Sequence, residues 1–170
     1  MSVTQALKGA SLFYYPDTPA MQAAMKRGTL IHDATELLDK GTIDWSQVDD
    51  EIEPYLEQYE IAKHELKFKV KAWEIKVSHP ALGYGGRIDK LALYQRANAI
   101  IDIKTGTKIR EEGWHHLQVA GYRETYKRRP RAFILYLSQE NYRWIEMDEK
   151  APMVWTKLMK GVNAARTFCA

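Results

Sequence analysis

The 170-residue sequence predicts an α/β fold, a mixed central sheet flanked by helices, and three observations carry the prediction. Apolar residues recur at helical spacing near both ends of the chain. Between Trp73 and Tyr94 the period falls to two, the signature of strands that present alternate faces. The first three strand-like runs are joined by short connections, whereas a helix-like stretch separates them from two more, so antiparallel and parallel neighbours should share one sheet.

Each element has its own signals. Thr18 followed by Pro19 is an N-cap with proline in the first turn, opening a helix that Gly41 ends and that Ala20, Ala24, Ile31, Ala34 and Leu38 should bury. Pro54 starts a second helix with Tyr55, Leu56, Tyr59, Ala62 and Leu66 on one side. From Trp73 a strand should place Trp73, Ile75 and Val77 on one face and Ala72, Glu74 and Lys76 on the other, until "SHPALGYGG" interrupts it. "RIDKLALY" is the second strand, "QRAN" a turn, and "AIIDIKTG" the third strand, expected at the centre of the sheet. "EEGWHHLQVAGYRETYKR" then reads as a helix, "RAFILYLS" and "YRWIEMD" as strands, and Pro152 opens a last helix carrying Val154, Leu158 and Val162. No repeat or linker divides residues 1–170, which predicts one domain.

Composition narrows the function classes. A formal charge of +3 is too small to dictate a polyanionic partner by itself. The single cysteine, Cys169, excludes an internal disulfide framework, a four-cysteine zinc site and a cysteine-held iron–sulfur cluster, and fits a reducing, cytoplasmic setting. No apolar run approaches the roughly 18 residues of a membrane span, and "MSVTQALKGA" lacks a signal-peptide pattern.

Charges on core strands cost free energy unless something uses them, and four candidates stand out. Asp102 and Lys104, two residues apart in "IIDIKTG", share one strand face while Ile101 and Ile103 share the other. Asp89 lies within "GRIDKLA" and Glu74 within "WEIKV". The plain alternatives are a solvated strand face for Glu74 and a cross-face ion pair for Asp102 with Lys104. Two aspartates on neighbouring strands can also supply hard oxygen ligands to Mg²⁺ or Mn²⁺, with a lysine placed to touch a water or a phosphate oxygen. That combination suits metal-assisted hydrolysis of a phosphodiester.

"GRIDKLA", then "IIDIKTG", then "QVAGY" on the following helix, with "RGTLIHDATELL" upstream, resembles the PD-(D/E)XK nuclease superfamily. The branch it is most similar to is that of RecB-type exonuclease domains and stand-alone phage exonucleases, and the resemblance covers almost the whole chain. It implies a restriction-endonuclease-like core. It also implies Asp89, Asp102, the carbonyl of Ile103 and His32 as metal ligands, Lys104 as the catalytic lysine, and Glu74 as a further acidic member. Without the motif context His32 would be an ordinary packing residue on its helix; Gly28, one turn before it, would leave room for a metal or phosphate. Gln118 and Tyr122 match the family's Q-x-x-x-Y element, thought to steady the DNA backbone, although i, i+4 spacing alone is also that of any amphipathic pair.

Trp114 on the same helix offers a base-stacking surface or a core anchor. Arg87, on the strand face of Asp89, is the candidate for a phosphate contact near the chemistry. The run Lys127, Arg128, Arg129 and Arg131 reads as a helix C-cap or a phosphate track. His115 and His116, being adjacent, cannot face one site and are expected at the surface, with His79 in a turn and His64 on the second helix. The expected activity is a Mg²⁺- or Mn²⁺-dependent deoxyribonuclease, an exonuclease of phage-type recombination or repair, with DNA and a single-strand annealing protein as partners. The competing readings are a structure-specific or nicking endonuclease, and a non-catalytic DNA-binding module on a nuclease fold.

Overall fold

The computed structural model describes residues 1–168, so Cys169 lies outside the described residues. Helix α1 (Val3–Gly9) is followed by α2 (Pro19–Lys40), α3 (Glu53–Leu66), strands β1 (Lys69–His79), β2 (Tyr84–Tyr94) and β3 (Ala97–Thr105), helix α4 (Gly113–Arg123), strands β4 (Arg131–Leu137) and β5 (Tyr142–Glu146), and helix α5 (Ala151–Phe168). The strands form one sheet in the order β1-β2-β3-β4-β5. All neighbours are antiparallel except β3 and β4, which run parallel because α4 carries the chain across. The sheet is therefore mixed, with β3 at its centre, as the sequence predicts.

Local chemistry explains the boundaries. The Thr18 side chain accepts from the Met21 amide, and Gly41, in the left-handed conformation, closes α2. Gln95 and Arg96, both at positive φ, make the two-residue turn between β2 and β3. The capping box of α1, in which Ser2 and Gln5 serve each other's backbone amides, is a signal the periodicity analysis does not use, and α1 was not expected. Helix α4 stops at Arg123, so the basic run lies beyond it; Arg129 pairs with Glu124 and Arg131 with Glu146.

Two apolar layers sandwich the sheet. Helices α1, α4 and α5 cover one face with Val3, Leu7, Val119, Trp155 and Met159 against Ile88, Ile100 and Ile134. Helices α2 and α3 cover the other with Ile31, Tyr55, Leu56 and Tyr59 against Ala92, Ile101, Ile103 and Leu135. Two expected stripes shift. In α5 the buried positions are Ala151, Trp155 and Met159, while Val154 is exposed; α2 buries Ile31 and Thr35 and leaves Ala20 outside.

One correction bears directly on the site. Ile75 and Val77 pack with the α1/α4/α5 layer, but the Trp73 indole donates to Asp39 on α2, so they do not share a face. Glu74 causes the break, since its φ of 49° lies in the left-handed region. Across from it on β2, Ile88 belongs to one layer and Ala92 to the other. Glu74 and Asp89 sit where this hairpin crosses between layers.

Helix α2 is fastened to the hairpin by a buried polar hub. The Asp39 carboxylate, 1% exposed, accepts from Lys63 Nζ at 2.7 Å, Tyr59 Oη at 2.8 Å, Lys90 Nζ at 2.8 Å and Trp73 Nε1 at 3.2 Å. Burial lowers the Lys90 pKa, and the Asp39 charge works against that shift.

Candidate active site

The strands part where the candidate residues lie. Pairing between β2 and β3 runs from Tyr94↔Ala97 to Lys90↔Ile101 and ends there, whereas β1 stays with β2 to His79↔Tyr84 and β3 stays with β4 to Thr105↔Leu137. Asp89 and Asp102 are the first residues past the last rung. In place of a backbone partner, the Ile103 amide donates to Asp89 Oδ2 at 2.7 Å. The fork admits side chains from both helix layers.

From the α2 side comes His32, whose Nδ1 is 3.5 Å from Asp89 Oδ2. A nitrogen of His32 and carboxylate oxygens of Glu74 and Asp89 all lie within 4.8 Å of one another. The left-handed turn at Glu74 brings the third donor in. From the α4 side come Gln118 and Tyr122, joined by a bond from Gln118 Nε2 to Tyr122 Oη at 3.0 Å and both buried. A Cβ on Gly86 would stand 2.5 Å from a Tyr122 ring carbon, so glycine there lets α4 reach β2. Burial raises the Tyr122 pKa, with Asp102 adding to the shift, so the phenol stays protonated.

Asp102 and Lys104 project together from β3, as the i, i+2 spacing predicts, with Ile101 and Ile103 buried on the other face. Asp102 Oδ2 is 2.6 Å from Lys104 Nζ, a close ion pair. Burial pushes the Asp102 carboxyl up to about 6, against the opposing charge of Lys104. Burial also disfavours the Lys104 cation, but the charges of Asp102 and Asp89 outweigh it and hold the ammonium pKa above its ordinary value. The imidazole nitrogen of His32 and the carboxylate oxygens of Glu74 and Asp89 form a donor set that fits a hard divalent cation, with the Asp102–Lys104 pair outside that set.

The remaining candidates fall outside this convergence or are already engaged. Arg87 is exposed and its guanidinium holds Glu74 at 2.9 Å. Trp114 is buried with its face against Phe13, ring centroids 4.4 Å apart, so it is a packing residue without an open stacking surface. The space expected beside Gly28 faces Thr105, whose Oγ1 would lie 3.2 Å from an added Cβ. His115, expected at the surface, is buried with its Nδ1 2.9 Å from Tyr136 Oη, and burial drives its pKa down to about 3. His116 accepts from the Asp148 amide, and His79 accepts from the Leu82 amide in the expected turn.

No family model matches the chain, and no curated protein matches it by sequence. Solved structures do match in three dimensions. A candidate exonuclease from Eubacterium rectale superposes with a TM-score of 0.61 at 12% identity, over 95% of this chain and 70% of that one. An alkaline exonuclease from Laribacter hongkongensis superposes with a TM-score of 0.50 at 14% identity, over 97% of this chain and 86% of that one. The chain thus has the α/β fold of exonuclease structures, in agreement with the PD-(D/E)XK resemblance. Among the described residues no helix is long and apolar enough to cross a membrane.

Proposed function

We propose that the chain, acting as one nuclease domain over residues 1–170, is a divalent-metal-dependent deoxyribonuclease that hydrolyses DNA phosphodiester bonds as an exonuclease. The observation that carries this reading is the convergence of His32, Glu74 and Asp89 beside the Asp102–Lys104 pair, at the point where β2 and β3 part. Asp89, Asp102 and His32, with Glu74 and the Ile103 carbonyl nearby, are the groups that would hold Mg²⁺ or Mn²⁺. Such a cation supplies Lewis-acid polarisation of the phosphoryl oxygen and lowers the pKa of its water.

The protein's own groups do the positioning. Ile101 and Ile103 anchor β3 in the core and fix Asp102 and Lys104 on the opposite face. Because neighbouring carboxylates keep Lys104 protonated, its role is to hold a phosphate oxygen or orient water by donation, and to balance the charge that builds on phosphorus. During hydrolysis the water oxygen bonds to phosphorus, its proton leaves to solvent, and the departing sugar oxygen collects a proton as the P–O bond breaks. Protonated Tyr122, aligned by Gln118, donates to the DNA backbone, and Arg87 can exchange Glu74 for a phosphate. A place in phage-type recombination or repair, in the cytoplasm and beside a protein that anneals single strands, follows from the family resemblance.

The test uses end-labelled linear DNA and covalently closed circular DNA with Mg²⁺, Mn²⁺ or EDTA. Metal-dependent loss of linear DNA, with circles left intact, is expected. Cleavage of the circles would transfer the assignment to an endonuclease. Survival of both substrates with either cation would overturn catalysis and leave a DNA-binding module.

A further inference from the structure

Between α1 and α2 the chain runs through Leu12, Phe13, Tyr14 and Tyr15 without regular structure. Four consecutive large apolar residues in a loop would ordinarily be buried, yet Leu12 is 41%, Tyr14 77% and Tyr15 44% exposed. The rings form a step that leads outward from the candidate site. Lys104 Nζ lies 5.8 Å from the centroid of Trp114; Phe13 stacks on Trp114 with centroids 4.4 Å apart; and Tyr15 stands 5.1 Å from Phe13 and 6.3 Å from Trp114. Phe13 and Trp114 are covered by one another, so the ring left open in this cluster is that of Tyr15, which meets the same Trp114 ring that Lys104 faces.

Chemistry selects the occupant. A phosphate held at Asp102 and Lys104 carries its own nucleoside, and an aromatic face beside the phosphate site is a platform for the flat base of that nucleotide. Inside a duplex both faces of each base are already stacked on neighbours, so a base reaches a protein ring only when it is unpaired or drawn out of the helix. We propose that Tyr15 is the stacking platform for the unpaired base adjoining the scissile phosphate. This rests on the deoxyribonuclease reading for the identity of the strand, and it adds the state in which that strand is bound.

The test is a titration of a single-stranded oligonucleotide carrying 2-aminopurine next to its terminal phosphate, in EDTA so that nothing is cut, followed by fluorescence. The wild-type protein is expected to quench the probe. Tyr15→Ala is expected to bind about tenfold more weakly, since one stacked base contributes roughly 1–3 kcal/mol, and to lose the quenching. Tyr15→Phe should keep both, and both variants should fold because the ring is half exposed. Equal quenching and affinity in wild type and Tyr15→Ala would overturn the platform, as would no binding by the wild type. Digestion of end-labelled DNA in Mn²⁺ separates the two ideas. Cleavage by the wild type together with Tyr15-independent binding removes the platform alone, whereas Tyr15-dependent quenching without any cleavage removes the nuclease assignment alone.

Discussion

Two buried carboxylates on opposite sides of the sheet are treated in opposite ways. Asp39 accepts from four donors drawn from α3, β1 and β2, two of them lysines. Asp102, equally buried, has a single cation beside it, the Lys104 ammonium at 2.6 Å. A saturated carboxylate fixes elements in place; one held by a single cation keeps coordination capacity that another group can use. Distance along α2 separates the two functions. His32 enters the fork from the helix's middle, while Asp39, two turns later, clamps the same helix to β1 and β2.

The largest contrast is expected from emptying each site in turn. Asp102→Ala and Lys104→Ala should each lower the cleavage rate by about a thousandfold, the scale of losing one preorganised electrostatic or proton-handling group, with an unchanged far-ultraviolet dichroism spectrum. Asp39→Ala should do the reverse. Leaving Lys90 buried without its partner is expected to cost about 3–5 kcal/mol in chemical denaturation, while the protein that remains folded still cleaves.

The next effect concerns pH. His115 is held neutral in the fold, its pKa pushed from 6.5 down to about 3, whereas in the unfolded chain it ionises at its ordinary value. Between those two values the unfolded state binds the extra proton, so stability is complete above the unfolded pKa and falls as pH drops through the window, by up to about 5 kcal/mol. His115→Gln should flatten that acid limb in denaturation curves taken from pH 7 to pH 4. A limb that stays as steep would place the titrating group elsewhere.

The smallest effect sharpens the contrast most. Glu74→Gly removes a side chain from a left-handed position where L-residues are strained, and should raise stability by about 1 kcal/mol while weakening the binding of Mn²⁺. A residue whose removal stabilises the fold but harms the site is held for chemistry. Equal losses in both measurements would make Glu74 structural.

Periodicity and caps were sufficient for the strands, the long helices and the shared face of Asp102 and Lys104, because alternation and capping are local properties. Part of what escaped depends on contacts far apart in sequence. Nothing near Asp39 indicates that Tyr59, Lys63, Trp73 and Lys90 will meet there, although a lysine within "GRIDKLALY" was a sign that something charged would face it. The left-handed Glu74 was invisible because glutamate is not a residue that invites such a turn, so strict alternation put Trp73 and Ile75 on one face. His115 was assigned to the surface because it and His116, being adjacent, cannot face one site, and Tyr136 on β4 reverses that assignment. Tyr15 was passed over because the loop before Thr18 has no period to read.

Binding of the metal itself gives the sharpest discrimination. Calorimetric titration of Mn²⁺ into the wild type and into Asp89→Asn, which keeps an oxygen for the Ile103 amide but loses the charge, should show saturable binding to the first and at least about tenfold weaker binding to the second. Absence of binding to the wild type, or equal affinity for both, would contradict a metal site at the fork of β2 and β3.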